Sequence, residues 1–194
     1  VSQSIADCLF GALGVIAGNQ GTMNSFSWGN AAFQNYETLG GGTGAGPGFA
    51  GAGFAGADAV QSHMTNTRMT DPEVLERRFP VRLEEVAVRR GSGGAGRWRG
   101  GDGMLRRLRF LTDVTVTILS LHRRLAPHGM GGGGAGATGE NRLILPDGSV
   151  RALKGCDEVE VPAGAAVEIL TPGGGLPSDQ IGRAACRERV CCRE

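Results

Sequence analysis

Glycine placement constrains this chain more than any other feature. The sequence carries 35 glycines in 194 residues, about two and a half times the usual share. They cluster at 40–56, 91–103 and 129–139, with apolar segments between them. That alternation implies elaborate loops on a folded scaffold, not uniform low complexity. The first cluster lies in NYETLGGGTGAGPGFAGAGFAGADAVQSHMTNTRMTDPEVLERRFPVR, from Asn35 to Arg82. Loops of this length inside a compact domain are functional or disordered. The polar run Ser62-His63-Met64-Thr65-Asn66-Thr67-Arg68 that follows favours function.

The length suffices for one domain with its own core. Formal net charge is +1, so no electrostatic pull toward nucleic acid or a membrane surface is implied. Lys154 is the only lysine, which reads as genomic composition bias. No apolar run reaches the ~20 residues of a membrane span. The opening VSQSIADCLFGALGVIAG lacks a basic start and contains Asp7, so it reads as a buried helix and not a leader. A first residue of Val1 is the expected mark of missing upstream sequence. Cys8 and Cys156 lie far apart, while Cys186, Cys191 and Cys192 crowd the end. That is neither a disulfide framework nor a zinc pattern, and a reducing, cytoplasmic setting is expected. Residues 177–194 change character, and IGRAACRERV (181–190) reads as translated non-native sequence. The domain is therefore placed at 1–176.

The expected fold class is α+β: an N-terminal helix and a mixed glycine-loop region, then a β-rich half with short hairpins. Ile5, Cys8, Leu9, Ala12, Leu13 and Ile16 recur at helical spacing, predicting a helix over 2–17 with that face buried. Strands are predicted at about 22–28 and 35–39, with Phe26 and Trp28 sharing a face. Thr70 and Glu73 have capping-box spacing around Pro72, predicting a short helix that ends before Pro80. Further strands are expected at 81–90, 104–110 and 113–121. Asp147-Gly148 signals a hairpin. A second hairpin is expected to join 158–161 to 166–170 through Pro162-Ala163-Gly164.

The loop from Gly40 to Gly53 has the composition to cradle an anion with backbone N–H groups. It lacks the Gly-Lys-Ser/Thr ending of a P-loop, and its glycine spacing misses a dinucleotide fingerprint. A substrate-facing or subunit-facing loop is the expectation. His63 is the leading candidate for site chemistry, since imidazole transfers protons near neutral pH; a structural histidine is the competing reading. Asn66 and Thr67 are placed to orient a substrate or satisfy the loop backbone. Glu37 is either a site carboxylate or a buried, hydrogen-bonded acid. His122 and His128 read as strand-end or surface residues, and Cys8 as core. Arg97-Trp98-Arg99-Gly100-Gly101 resembles RNA-binding segments but reads better as a turn packed by Trp98.

Five blocks resemble the hydantoinase B/5-oxoprolinase family: GNQGTMNSFSWGN (18–30), YETLGGGTGAGPGF (36–49), HMTNTRMTDPEVLERRFPVR (63–82), RRGSGGAGRWRGGDGMLRRLRFL (89–111) and TPGGG (171–175). The resemblance implies the C-terminal part of a B module, and ATP-dependent opening of a lactam or hydantoin ring. It implies that ATP is bound by a partner A-like module, and that a divalent metal belongs to the missing N-terminal part of the B module. No metal ligand is assigned in this chain. Near the substrate it places His63, Asn66, Thr67 and Glu37, with Gly40, Gly41 and Gly42 shaping the pocket. The fragment is expected to be inactive alone. The competing implications are a subunit fragment of an ATP-dependent ketone carboxylase, or a non-catalytic assembly module docking a partner subunit.

Overall fold

A computed structural model describes residues 1–48, 52–63, 65 and 67–178. Asn66, the middle of the duplicated GFAGA stretch, and the tail from 179 with Cys186, Cys191 and Cys192 lie outside them. Two helices and nine strands are found among the described residues, in keeping with α+β. Helix α1 is Ser2–Ala12 and α2 is Pro72–Arg78. The strands are β1 (Ser25–Gly29), β2 (Gln34–Thr38), β3 (Val81–Arg89), β4 (Gly103–Phe110), β5 (Val114–Leu119), β6 (Glu140–Ile144), β7 (Val150–Leu153), β8 (Cys156–Val161) and β9 (Ala166–Leu170).

They form two antiparallel sheets, ordered β2-β1-β5-β8 and β3-β4-β9-β6-β7. The apolar core draws on both. Phe26, Trp28, Val116 and Ile118 come from the first, and Leu108, Phe110, Leu143 and Ile169 from the second. Period-two alternation puts these residues on inward faces, as the sequence predicts for β1. Trp28 meets Phe79 and Phe110 edge-on, with ring centroids 5.1 and 5.5 Å away. The Asp147-Gly148 hairpin forms as expected between β6 and β7.

Three local expectations are corrected. First, α1 stops at Ala12, not at 17. Gly14 takes φ +66°, and its N–H reaches Gly11 O while Val15 N–H reaches Phe10 O, each at 3.1 Å. This is the paired hydrogen bonding of a glycine-terminated helix. Second, Asp71, not Thr70, occupies the cap position of α2, without a side-chain cap bond. Pro72 at the first turn provides the pre-set φ. Third, residues 158–161 and 166–170 do not pair with each other. β8 pairs with β5 and β9 with β4 and β6, so Pro162-Ala163-Gly164 carries the chain from one sheet to the other.

The face of α1 is also reversed. Ile5, Leu9 and Leu13 are 55, 57 and 72% exposed, and Cys8 is exposed rather than core. The inward side is polar. Gln3 is buried and donates to Ser62 O at 2.6 Å and to Thr65 Oγ1, and Asp7 accepts from Asn19. Hydrogen bonds to the 62–65 turn, which hydrophobic periodicity does not register, set the orientation of this helix.

The glycine clusters pack on one another. Gly18 N–H donates to His128 O, Gly175 N–H to Gly18 O, Gly174 N–H to Gly101 O and Gly101 N–H to Thr43 O, each at 2.8 Å. A Cβ on Gly42 would lie 1.9 Å from Gly101 O, and one on Gly174 1.9 Å from Thr43 O. Extended segments far apart in sequence thus approach to a separation that only glycine permits.

Candidate functional site

Val60, Gln61 and Thr67 meet the C-terminal end of β2 and the residues after it, while Ser62, His63 and Thr65 meet the inner side of α1. Gly41 and Val60 exchange backbone hydrogen bonds at 3.0 Å. Thr67 Oγ1 meets Thr38 Oγ1, and Gln61 Nε2 donates to Thr38 Oγ1 at 3.1 Å. Thr67 and Gly41 are thus tied to this segment, while Glu37, one residue before Thr38, turns to Arg106. Asn66 lies outside the described residues.

His63 has φ +53°, a left-handed conformation rare for residues other than glycine and often found at functional sites. Its side chain is 8% exposed. The ring packs on Phe10 at 5.1 Å between centroids. Nε2 stands 3.0 Å from Asn19 Nδ2 and 3.4 Å from Asp7 Oδ1. Asn19 binds in three directions, since its Nδ2 also donates to Asp7 Oδ1 at 2.6 Å and its Oδ1 accepts Gly44 N–H at 2.8 Å. His63 is therefore oriented by a helix side chain and coupled to the glycine loop through one amide. Neither Asp7 nor Asn19 was singled out as a site residue from the sequence. The available signal was Asp7 as the lone charge in an otherwise uncharged helix.

Glu37 is a buried acid. Its Oε1 accepts from Arg106 Nη2 at 2.8 Å, with the side chains 2 and 1% exposed. Burial pushes the Glu37 carboxyl upward, against the lowering effect of the Arg106 guanidinium. Glu37 Oε2 and Arg106 Nε make no hydrogen bond to protein. Arg106 also lines a cleft of about 460 Å³ together with Met69, Thr70, Asp71 and Glu85. The sequence reading passed over Arg106, although alternation puts it on the same strand face as Met104, Leu108 and Phe110.

Gly40, Gly41 and Gly42 are buried. Gly41 N–H donates to Val60 O at 3.0 Å and Gly42 N–H to Pro172 O at 2.9 Å, while Gly40 O accepts from Thr171 Oγ1 at 2.8 Å. Two of the three N–H groups are thus committed to protein carbonyls, unlike an anion cradle, whose N–H groups converge on open space. Across the chain, Asp102 anchors the 91–103 loop. Burial opposes its ionisation, but Gly93 N–H at 2.7 Å and Arg99 Nη1 at 2.5 Å hold the carboxyl below its ordinary range. Among the described residues, no cluster of three or more His, Cys, Asp or Glu side chains is arranged to hold a metal ion, and no helix is long and apolar enough to cross a membrane.

Comparison with known proteins matches residues 1–175 to the profile of the hydantoinase B/oxoprolinase family. 5-Oxoprolinase 1 of Arabidopsis thaliana is 46% identical over 174 residues, covering 90% of this chain and 13% of the plant protein. The crystal structure of ATP-dependent caprolactamase from Pseudomonas jessenii matches 91% of this chain and 33% of its own, at TM-score 0.65 and 22% identity. A nucleotide-free acetone carboxylase matches 91% of this chain and 28% of its own, at TM-score 0.65 and 17% identity. At such identities the two structures establish a shared fold and nothing finer.

Proposed function

The chain belongs to the hydantoinase B/oxoprolinase family, and we propose that it is the C-terminal part of a B-type module in an ATP-dependent hydrolase that opens a cyclic amide. The match to a plant 5-oxoprolinase over 90% of the chain carries this reading. A planar amide resists attack because its C–N bond has partial double-bond character, which is what makes activation by ATP necessary. In this reading ATP is bound by an A-like partner and a divalent metal by the rest of the B module. His63 faces the substrate region, with its imidazole oriented by Asp7 and Asn19. Asn66 and Thr67 contact the substrate, and Glu37 supplies fixed negative charge beside Arg106. Gly40, Gly41 and Gly42 contribute by close packing, which sets the depth of the pocket wall.

The shared fold with both a caprolactamase and an acetone carboxylase keeps ketone carboxylation as the second reading. The test uses the complete reading frame around this segment, expressed with its A-like partner. ADP release stimulated by 5-oxoproline or a hydantoin is expected. Stimulation only by a ketone with bicarbonate would move the assignment to the carboxylase. No stimulation by either would leave an assembly module. In an active complex, His63→Ala is expected to lower lactam-stimulated turnover at least 100-fold, the scale of general acid–base catalysis; unchanged turnover would remove His63 from the site.

A further inference from the structure

Helix α1 presents its apolar residues to solvent. Ile5, Leu9 and Leu13 are 55, 57 and 72% exposed and recur every fourth residue, so they form one stripe. It runs ~12 Å along the helix at 1.5 Å per residue. The single charged side chain of α1, Asp7, is turned inward onto Asn19 and His63, as is Gln3 onto Ser62. A solvated helix normally keeps its polar side outward; this one does the reverse. The stripe borders a groove of about 220 Å³ where Met23, Leu119, Leu121 and Cys156 alternate with the polar Ser4, Thr22 and Ser120. Met23, Leu119 and Leu121 are 37, 54 and 43% exposed. A contiguous apolar face of this kind marks an interaction surface.

We infer that this face is an internal interface, covered by the part of the same longer polypeptide that lies outside these 194 residues. The inference rests on the reading of the chain as part of a B-type module. The plant relative extends far beyond the matched region, which is 13% of its length, so covering chain is available in a protein of that type. A covalently continuous segment meets the stripe at an effective concentration on the order of millimolar, which favours it over a second copy. Its contacting surface is apolar and uncharged at the centre, to match Ile5, Leu9 and Leu13, with hydroxyl partners at the rim for Ser2 and Ser4. The interface also buttresses the site: α1 holds Asp7 and Phe10 against His63, so covering its outer side fixes the inner one.

The test is cysteine labelling in the 194-residue chain and in the complete reading frame that contains it. Leu9→Cys is placed in a background with Cys8, Cys156, Cys186, Cys191 and Cys192 replaced by serine, with Ile5→Cys as a second reporter and Val150→Cys, on exposed β7, as the control, each label located by peptide mapping. Maleimide labelling of positions 5 and 9 is expected to be at least tenfold slower in the complete polypeptide, with position 150 unchanged. Equal rates in both proteins would overturn the inference. So would protection in the 194-residue chain that rises with its concentration, which would identify a second copy as the occupant. A reading frame without flanking sequence would overturn it as well. Labelling is independent of turnover: lactam-dependent ATP hydrolysis without protection defeats only this inference, and protection without turnover defeats only the proposed activity.

Discussion

Replacing Arg106 with methionine removes the cation from a pair that is 1 and 2% exposed and strands the Glu37 carboxylate in the interior. Breaking such a pair from one side costs about 3–5 kcal/mol. The structure also sets a ceiling. The stranded acid can escape by taking up a proton, and from its ordinary value of 4.5 that costs about 1.4 kcal/mol per pH unit. At pH 7 the penalty therefore saturates near ~3.4 kcal/mol, and at pH 5.5 near ~1.4 kcal/mol. The sign follows from linkage. In the variant the folded-state pKa of Glu37 is raised further, so the associated stability is present below about 4.5 and is lost as pH rises through the raised value. Urea unfolding followed by tryptophan fluorescence, with Trp28 in the same core, measures this at both pH values. Arg106→Met paired with Glu37→Met is expected to recover most of the loss, because no buried charge remains. A single variant within ~1 kcal/mol of the parent at pH 7, or an equal loss at both pH values, would refute the argument.

Two more stability tests bear on the glycine layer and its anchor. Gly42→Ala puts a methyl 1.9 Å from Gly101 O and is expected to cost about 3 kcal/mol or more. Gly132→Ala, with φ +89° but nothing within 4 Å, should cost only about 1–2 kcal/mol; similar urea midpoints for the two would contradict the packing account. Asp102, whose carboxyl is held below its ordinary 3.8, contributes stability above that value that is lost as pH falls below it. Asp102→Asn should flatten the acid limb of stability between pH 5 and 2, and parallel curves would show that the carboxylate is not the anchor.

Much of the local structure was legible in the residues. Alternation placed Phe26 and Trp28 together on β1 and laid out β4 and β5. Pro72 marked the start of α2, and Asp147-Gly148 marked the β6–β7 turn. The candidate region was legible as the glycine loop and the SHMTNT run, with His63, Glu37 and Thr67 as its expected residues. Their partners were not, because Glu37 and Arg106 are 69 residues apart and His63 and Asp7 are 56 apart. Nothing local encodes such a pairing.

What the sequence determined by itself was periodicity, turn chemistry and the need for close backbone approach, since each depends on a residue and its near neighbours. Tertiary structure alone decided which face of α1 turns inward, which sheet receives β8 and which β9, and where the glycine N–H groups point. A helical period defines two faces without ranking them. Here Gln3 donates to Ser62 and Thr65 and Asp7 accepts from Asn19, which draws the polar face inward, a choice that exists only once those distant segments have been folded against the helix.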